Sequence, residues 1–333
     1  MIKKFLQCHP VHKKIVPIFD TIFLLRPTMF FAVWVMVVVG IISADLNMQA
    51  SSLWNTGFSW QTFLIFSGLT LLISAAFISN QIADEHNGQD KKKLLLIGKQ
   101  ISSEKGKSIV KILLIIGGLI SIIANWVTAI PAMCIYFLWG IEYNHPPFEW
   151  KNKPTSGWLV NSFVGVLLFI IGWMLGMKNY PNNAIISFSF ETFSYMLPYL
   201  LCFSAVSLLI ILPDMKSDDA DVRTFPILFG FSTSILISLS MVSIALYVSM
   251  KQADPLASTA TLVSLPFFIF AVVRRLNKDI LRAIRYPIFI LNFFALPYYP
   301  WLVVPLFCTY YLSKYYYWHR FDLHYPTFLV DND

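Results

Sequence analysis

Apolar runs about as long as a bilayer is thick recur along this chain and constrain its fold more than any other feature. A helix needs about 20 apolar residues to cross the hydrocarbon core of a membrane. Nine segments of roughly this kind occupy residues 22–43, 60–82, 108–124, 126–143, 158–177, 193–213, 226–249, 257–273 and 285–313. Only 13% of the residues are charged, against about 25% in soluble domains. The pattern predicts an all-α membrane protein, a bundle of about nine transmembrane helices.

The basic residues predict how this bundle is oriented. Most of the 25 lysines and arginines lie in the N-terminal region or in the connections after the second, fourth, sixth and eighth segments. Because cytoplasmic loops carry such an excess, we expect the N-terminus in the cytoplasm and, after nine crossings, the C-terminus outside. The formal charge of +7 therefore reflects membrane topology, and we expect no nucleic-acid partner.

The chain is expected to form a single domain over residues 1–333. A cytoplasmic segment at 1–21 would precede the nine-helix bundle at 22–313, and a tail would follow at 314–333. The four cysteines lack Cys-x-x-Cys spacing, so we expect no disulfide and no thiolate metal site. The N-terminus lacks the basic, apolar and small-residue order of a cleaved signal peptide. A multi-pass protein of a bacterial inner membrane is the predicted location.

Two polar clusters close the second and sixth apolar segments, at ends predicted to be cytoplasmic. Asn80 and Asp84 are four residues apart, as are Asp214 and Asp218, so each pair shares one helix face. Ionisable groups at membrane depth are costly and usually serve an ion or a substrate. Mg²⁺ is held in proteins by a few carboxylates together with substrate phosphate oxygens. The clusters therefore indicate a Mg²⁺ site for a phosphorylated lipid, although helix ends that simply meet water would show similar residues.

Four motifs in order along the chain resemble the UbiA superfamily of intramembrane prenyltransferases. They are the start Leu25-Arg26-Pro27, the first acidic motif Asn80-x-x-x-Asp84, the loop Tyr143-Asn-His-Pro146-Pro147-Phe-Glu-Trp-Lys151, and the second acidic motif Asp214-x-x-x-Asp218 with its ending Arg223-Thr-Phe-Pro226-Ile-Leu-Phe-Gly230. The resemblance spans residues 26–230, and the helix count covers the remainder. It implies a nine-helix fold with an active-site cavity on the cytoplasmic side.

The resemblance also implies an activity, which is Mg²⁺-dependent transfer of a prenyl group from a prenyl diphosphate to an aromatic or quinone-precursor acceptor. It assigns the metal to Asn80, Asp84, Asp214 and Asp218. It assigns phosphate contacts to Arg26, Lys93, Lys151 and Arg223, and stabilisation of the acceptor or the allylic cation to Tyr143. Membrane lipids would surround the apolar groove that holds the isoprenoid tail.

Two positions depart from the family pattern. Gly88 stands where the third acidic residue of the first motif is expected. Asp90, or Glu85 beside Asp84, could substitute as a further Mg²⁺ ligand, although neither is in helical register with Asp84. Glu149 stands where many relatives carry arginine. These departures keep open a non-catalytic membrane scaffold that shares the fold.

Other activities are compatible with the same residues. The acceptor could be a glycerol-phosphate lipid or a carotenoid, or the cation could cyclise within one terpene chain. A secondary transporter would place its carboxylates near the bilayer midplane, whereas these acids lie at helix ends. His86 and His145 lie near the proposed site, where either could act as a base for the acceptor or be a solvated loop histidine.

Overall fold

The structure is a computed structural model of the chain, and it describes residues 10–48, 59–86, 96–177, 190–216 and 223–326. Helices dominate these residues, and the described part of the chain forms no β-sheet, only an isolated bridge between Ile97 and Ile101. The expected all-α fold is confirmed. The α-helices are, in chain order, α1 Pro10–Leu24, α2 Phe30–Asn47, α3 Trp60–His86, α4 Ser103–Ala124, α5 Trp126–Tyr136, α6 Ser156–Met177, α7 Phe190–Ile210, α8 Phe225–Phe229, α9 Phe231–Lys251, α10 Pro255–Arg274, α11 Asn277–Ala295 and α12 Val303–Phe321.

Shorter helical turns join several of these elements. A π-helix continues α5 over Phe137–Glu142. Four 3₁₀ turns lie at Pro27–Met29, Trp150–Asn152, Pro213–Lys216 and Pro300–Leu302. Within the described residues, seven helical stretches are long and apolar enough to cross a membrane: Lys14–Asn47, Trp60–Glu85, Ser103–Ala124, Ser156–Met177, Phe190–Ile210, Phe231–Lys251 and Pro255–Arg274. A multi-pass membrane bundle is therefore confirmed.

Helix α2 forms the centre of the bundle, where glycines let its backbone pack directly against the backbone of α6. Every residue from Val33 to Asp45 is buried. A Cβ atom added at Gly172 of α6 would overlap the carbonyl of Val37, and one added at Gly40 of α2 would overlap the carbonyl of Phe169. Small residues let membrane helices approach this closely, because lipid supplies no hydrophobic force between them. The contact fixes one wall of the cavity described below.

The ninth apolar segment, expected at 285–313, is two helices in the structure. Helix α11 ends at Ala295 and α12 begins at Val303, with Pro297 and Pro300 between them. Proline has no backbone N–H and a fixed φ, so it ends a helix more readily than it continues one. The expected single helix over 285–313 was therefore wrong, and α12 extends to Phe321, into the range 314–333 that was expected to follow the bundle.

This additional helix places the two described ends of the chain together. The Tyr316 hydroxyl of α12 donates to the Asp20 carboxylate of α1 at 2.6 Å, and the Arg320 guanidinium lies 3.2 Å from the same carboxylate. Arg320 also donates to Gln100, in the connection that follows α3. This contact places Asp20 and Arg320 at the same end of the bundle, whereas an odd number of crossings would put the two termini on opposite sides of the membrane. Which end of the bundle faces the cytoplasm stays a prediction.

Candidate active site

A cavity of about 300 Å³ lies inside the bundle, between α2, α3, the π-helix, α6, α7, α10 and α11. Its walls are largely apolar, and aromatic rings from several helices contribute to them. Three of the residues singled out in the sequence line it, namely Arg26, Asn80 and Tyr143. Each lies near a helix end: Arg26 precedes α2, Asn80 is close to the end of α3, and Tyr143 follows the π-helix. The cavity is therefore polar at the end where these helix termini meet.

Asp84 and Lys151 form a buried ion pair one helical turn beyond Asn80 on α3, and neither residue lines the cavity. Lys151 Nζ lies 2.5 Å from Asp84 Oδ1, and the two side chains are only 9% and 10% exposed. The backbone N–H of Lys151 donates to the carbonyl of Tyr143, which closes the loop between these two residues. The sequence placed Asp84 on a metal and Lys151 on a phosphate, whereas the structure joins them directly.

Asn80 is held by a second asparagine that the sequence analysis gave no role. Asn80 Nδ2 donates to Asn144 Oδ1 at 2.6 Å, and Asn144 Nδ2 donates to the backbone carbonyl of Trp139, also at 2.6 Å. Asn144 is 1% exposed. It directly follows Tyr143 in the recognised motif, so its position was visible in the sequence, but its partner was not. The contact with Asn80 depends on how the π-helix presents Trp139.

The π-helix shapes the wall of the cavity next to these asparagines. The N–H of Tyr143 donates to the carbonyl of Leu138, five residues earlier, and such π segments often mark functional sites. Trp139 and Tyr143 line the cavity from this element. The Trp139 indole N–H donates to Asn161 Oδ1 on α6 at 2.8 Å. The ring is thereby fixed in the wall rather than free to turn.

The loop after the π-helix also contacts the ending of the second acidic motif. The N–H of Arg223 donates to the carbonyl of Asn152 at 3.2 Å, although the Arg223 side chain is exposed. Asp214 lies in the 3₁₀ turn Pro213–Lys216, but its side chain lies outside the described residues. Asp218, Lys93, Asp90 and Gly88 also lie outside the described residues. Their predicted roles therefore stay predictions.

Arg26 adopts an unusual backbone conformation at the entrance to α2. Its φ of 53° places it in the left-handed region, which non-glycine residues adopt rarely. The residue links α1 to the turn Pro27–Met29, and its side chain lines the cavity. Strained residues of this kind concentrate at functional sites, and the phosphate contact that the resemblance assigned to Arg26 stays a prediction.

His145 lies in the same loop as Lys151. Partial burial lowers the pKa of its imidazole, and the charge of Lys151 lowers this pKa further, against a smaller opposing effect of Glu149. The ring is therefore neutral near pH 7 and able to accept a proton. The side chain of His86, the other histidine considered, lies outside the described residues.

The fold and the cavity together define a multi-pass membrane protein with an intramembrane cavity that is polar at one end. The sequence profile of the UbiA prenyltransferase family matches residues 36–295. This chain belongs to that family.

Known relatives agree with this assignment. The chloroplastic 2-acyl-4-prenylphloroglucinol 6-prenyltransferase of Humulus lupulus is 28% identical over 195 residues, covering 54% of this chain and 46% of that protein. A UbiA homolog from Archaeoglobus fulgidus bound to GPP and Mg²⁺ superposes with a TM-score of 0.64 at 14% identity, over 86% of this chain and 99% of that one. Digeranylgeranylglyceryl phosphate synthase superposes with a TM-score of 0.59 at 15% identity, over 87% and 99%. At such identities the two structures show the shared fold.

Proposed function

We propose that this protein transfers a prenyl group from a prenyl diphosphate to an aromatic or quinone-precursor acceptor within the membrane, with Mg²⁺. The observation that carries the proposal is the cavity itself, because apolar walls lead to a polar end where Arg26, Asn80 and Tyr143 converge. An isoprenoid chain matches the walls, and its diphosphate matches the polar end. The Asp84–Lys151 pair lies at the same end of the bundle.

The oxygen atoms of α3 suit a hard cation. Among the described residues, Asn80 Oδ1 and Asp84 Oδ2 accept no hydrogen bond, and they lie one helical turn apart. Such oxygens would hold Mg²⁺ together with substrate phosphates, and Asp214 and Asp218 are the expected ligands from the second motif. When bound, Mg²⁺ neutralises the diphosphate and makes it a better leaving group. The Archaeoglobus fulgidus homolog with GPP and Mg²⁺ supports this assignment.

The basic side chains would bind and orient the diphosphate. Arg26 can form two parallel hydrogen bonds to phosphate oxygens, and its position in the cavity lining suits that contact. When the prenyl diphosphate binds, the Lys151 ammonium would leave the Asp84 carboxylate and bind a phosphate oxygen. Departure of the diphosphate leaves an allylic cation, and the faces of Phe77, Trp139 and Tyr143 in the wall can stabilise it through cation–π contacts.

The acceptor class rests on the sequence relative. The Humulus lupulus protein is named as a prenyltransferase that acts on a prenylphloroglucinol, which is an aromatic acceptor. His145, neutral near pH 7, is a candidate to take the proton that the acceptor loses. A glycerol-phosphate lipid is the second candidate acceptor, because digeranylgeranylglyceryl phosphate synthase shares this fold.

Product analysis by mass spectrometry tests the proposal. Purified protein would be incubated with Mg²⁺, prenyl diphosphates of several lengths and a panel of phenolic, quinoid and glycerol-phosphate acceptors. We expect one prenylated product that disappears with EDTA and in Asp84→Asn. The matched control is Glu104→Gln, which neutralises an exposed carboxylate in the first turn of α4 and should leave the product unchanged.

Each other outcome has a distinct meaning. Diphosphate release with a hydrocarbon product and no adduct would identify a terpene cyclase instead. Product with the lipid acceptor alone would replace the aromatic assignment. Absence of both turnover and donor binding would contradict an enzymatic function and favour a scaffold.

A further inference from the structure

The carbonyl of Trp139 is available to a side chain because of the π-helix. In a regular α-helix this carbonyl would accept from the N–H of Tyr143, four residues later. Here the Tyr143 N–H donates to Leu138, and the N–H of Asn144 donates to Ile141. The Trp139 carbonyl instead accepts from Asn144 Nδ2 at 2.6 Å. A backbone irregularity thus creates a fixed acceptor beside the cavity.

This acceptor determines which way the amide of Asn144 points. The oxygen and nitrogen of an asparagine amide are nearly identical in shape, so their assignment must follow from the partners. A backbone carbonyl can only accept, and Asn144 is buried at 1% exposure, where an unmatched polar atom is costly. Its nitrogen must therefore face Trp139, and its oxygen must face α3.

The orientation of Asn144 in turn determines that of Asn80. Since Asn144 presents Oδ1, which only accepts hydrogen bonds, Asn80 must donate from its Nδ2, at 2.6 Å. The remaining atom, Asn80 Oδ1, accepts no hydrogen bond from the described residues. Oxygen is the half of an amide that a hard cation binds, whereas the NH₂ half would repel it. The reversed amide would put that NH₂ group in the place of the ligand.

We propose that Asn144 is a positioning residue that holds the Asn80 amide with its oxygen available to a divalent cation. The proposal rests on the metal site of the proposed function, and it adds the means by which this chain orients one of its ligands. Two hydrogen bonds in series, from a π-helix carbonyl through Asn144 to Asn80, exclude the unproductive amide orientation before any cation arrives. Loss of outer contacts of this kind typically weakens metal binding by about 10- to 100-fold.

The test measures metal binding without turnover. The full chain would be purified in nanodiscs of zwitterionic lipid and titrated with Mn²⁺ alone, with the free ion followed by its EPR signal. Asn144→Leu keeps the side-chain size and removes both hydrogen bonds, and we expect it to raise the Mn²⁺ Kd by about 10- to 100-fold. The control is Asn292→Leu, a buried asparagine of α11 whose Nδ2 donates to the carbonyls of Phe31 and Ile288. It should lower the melting temperature and leave the Kd unchanged.

A double variant separates the positioning of Asn80 by Asn144 from a general effect of the substitution on the structure. Asn80→Asp replaces the amide with a carboxylate, whose two oxygens can both bind a cation, so that the metal ligand no longer depends on which way the group is turned. The weakening caused by Asn144→Leu should therefore disappear when it is combined with Asn80→Asp. If Asn144→Leu does not fold, Asn144→Ser, whose hydroxyl is too short to reach both partners, is tested in the same way.

The possible results distinguish this proposal from the function on which it rests. Wild-type Mn²⁺ affinity in Asn144→Leu, together with loss of binding in Asp84→Asn, would overturn the positioning role alone. An equal loss from Asn144→Leu with and without Asn80→Asp would also overturn it. Unchanged binding in Asp84→Asn would instead contradict the proposed metal site, and the positioning role with it.

Discussion

At the scale of residues, side chains from three separate stretches of the chain form the polar end of the cavity. The motifs identified Arg26, Asn80 and Tyr143, and all three line the cavity. The ion pair between Asp84 and Lys151 was not predicted, because a motif identifies the residues of a site but does not show which of them contact each other. The contact of Asn144 depends on a carbonyl left available by a π-helix, and the sequence pattern does not indicate where a helix changes from α to π.

Replacement of Lys151 tests the buried ion pair. Lys151→Met keeps the alkyl stem but leaves the Asp84 carboxylate buried without its partner. Breaking a buried pair this way costs about 3–5 kcal/mol, so we expect a lower melting temperature and reduced turnover. Added Mg²⁺ should recover part of the stability, because the cation replaces the missing charge.

Lys153→Met is the matched control for that variant. Lys153 lies in the same loop, but its side chain is exposed, so the change should affect stability by less than about 0.5 kcal/mol. Similar losses in the two variants, measured by thermal unfolding in detergent, would contradict the structural importance of the Asp84–Lys151 pair.

At the scale of elements, hydropathy located most helices and failed where proline interrupts an apolar run. Residues 285–313 are apolar almost throughout, so hydropathy alone joined α11 to α12. Helix α1 was not predicted, because the basic residues of the segment 1–21 kept it out of the apolar pattern. The close approach of α2 and α6 through glycines is a tertiary feature that local pattern does not report.

Two glycine substitutions test that approach. Gly172→Val would force side-chain atoms into the backbone of α2 at Val37, and we expect a loss of about 3 kcal/mol or more, at the upper end of overpacking costs. Gly118→Ala is the matched control on α4, where an added Cβ meets only the Met133 sulfur, at 3.7 Å. Alanine favours a helix over glycine by about 1 kcal/mol, so this control should be neutral or stabilising. Equal thermal stability of the two variants would contradict the packing.

At the scale of the whole molecule, the charge bias and the helix count predict the side of the membrane on which each connection and each terminus lies. The bias requires the basic connections to share one side, and contacts between Asp84 and Lys151 and between Arg223 and Asn152 agree with this. The predicted position of the C-terminus depends on nine crossings, and the contact between α12 and α1 favours a position on the side of the N-terminus instead. The basic residues Lys314 and Arg320 of α12 now add to the charge near the N-terminal side.

Protease protection of terminal tags tests this topology. With a tag at each end of the chain in sealed inverted membrane vesicles, both tags should be cleaved from outside the vesicle without detergent. This outcome follows from the Asp20–Arg320 contact together with the positive-inside prediction. Cleavage of the N-terminal tag alone would contradict the placement of α12.

Binding of the donor tests the central claim most directly. Radiolabelled prenyl diphosphate would be titrated into purified protein with Mg²⁺, with EDTA, and with Asp84→Asn in place of the wild type. The account predicts saturable binding that needs Mg²⁺ and is lost in Asp84→Asn, because the diphosphate occupies the polar end of the cavity beside α3. Binding that is indifferent to both Mg²⁺ and Asp84 would contradict it.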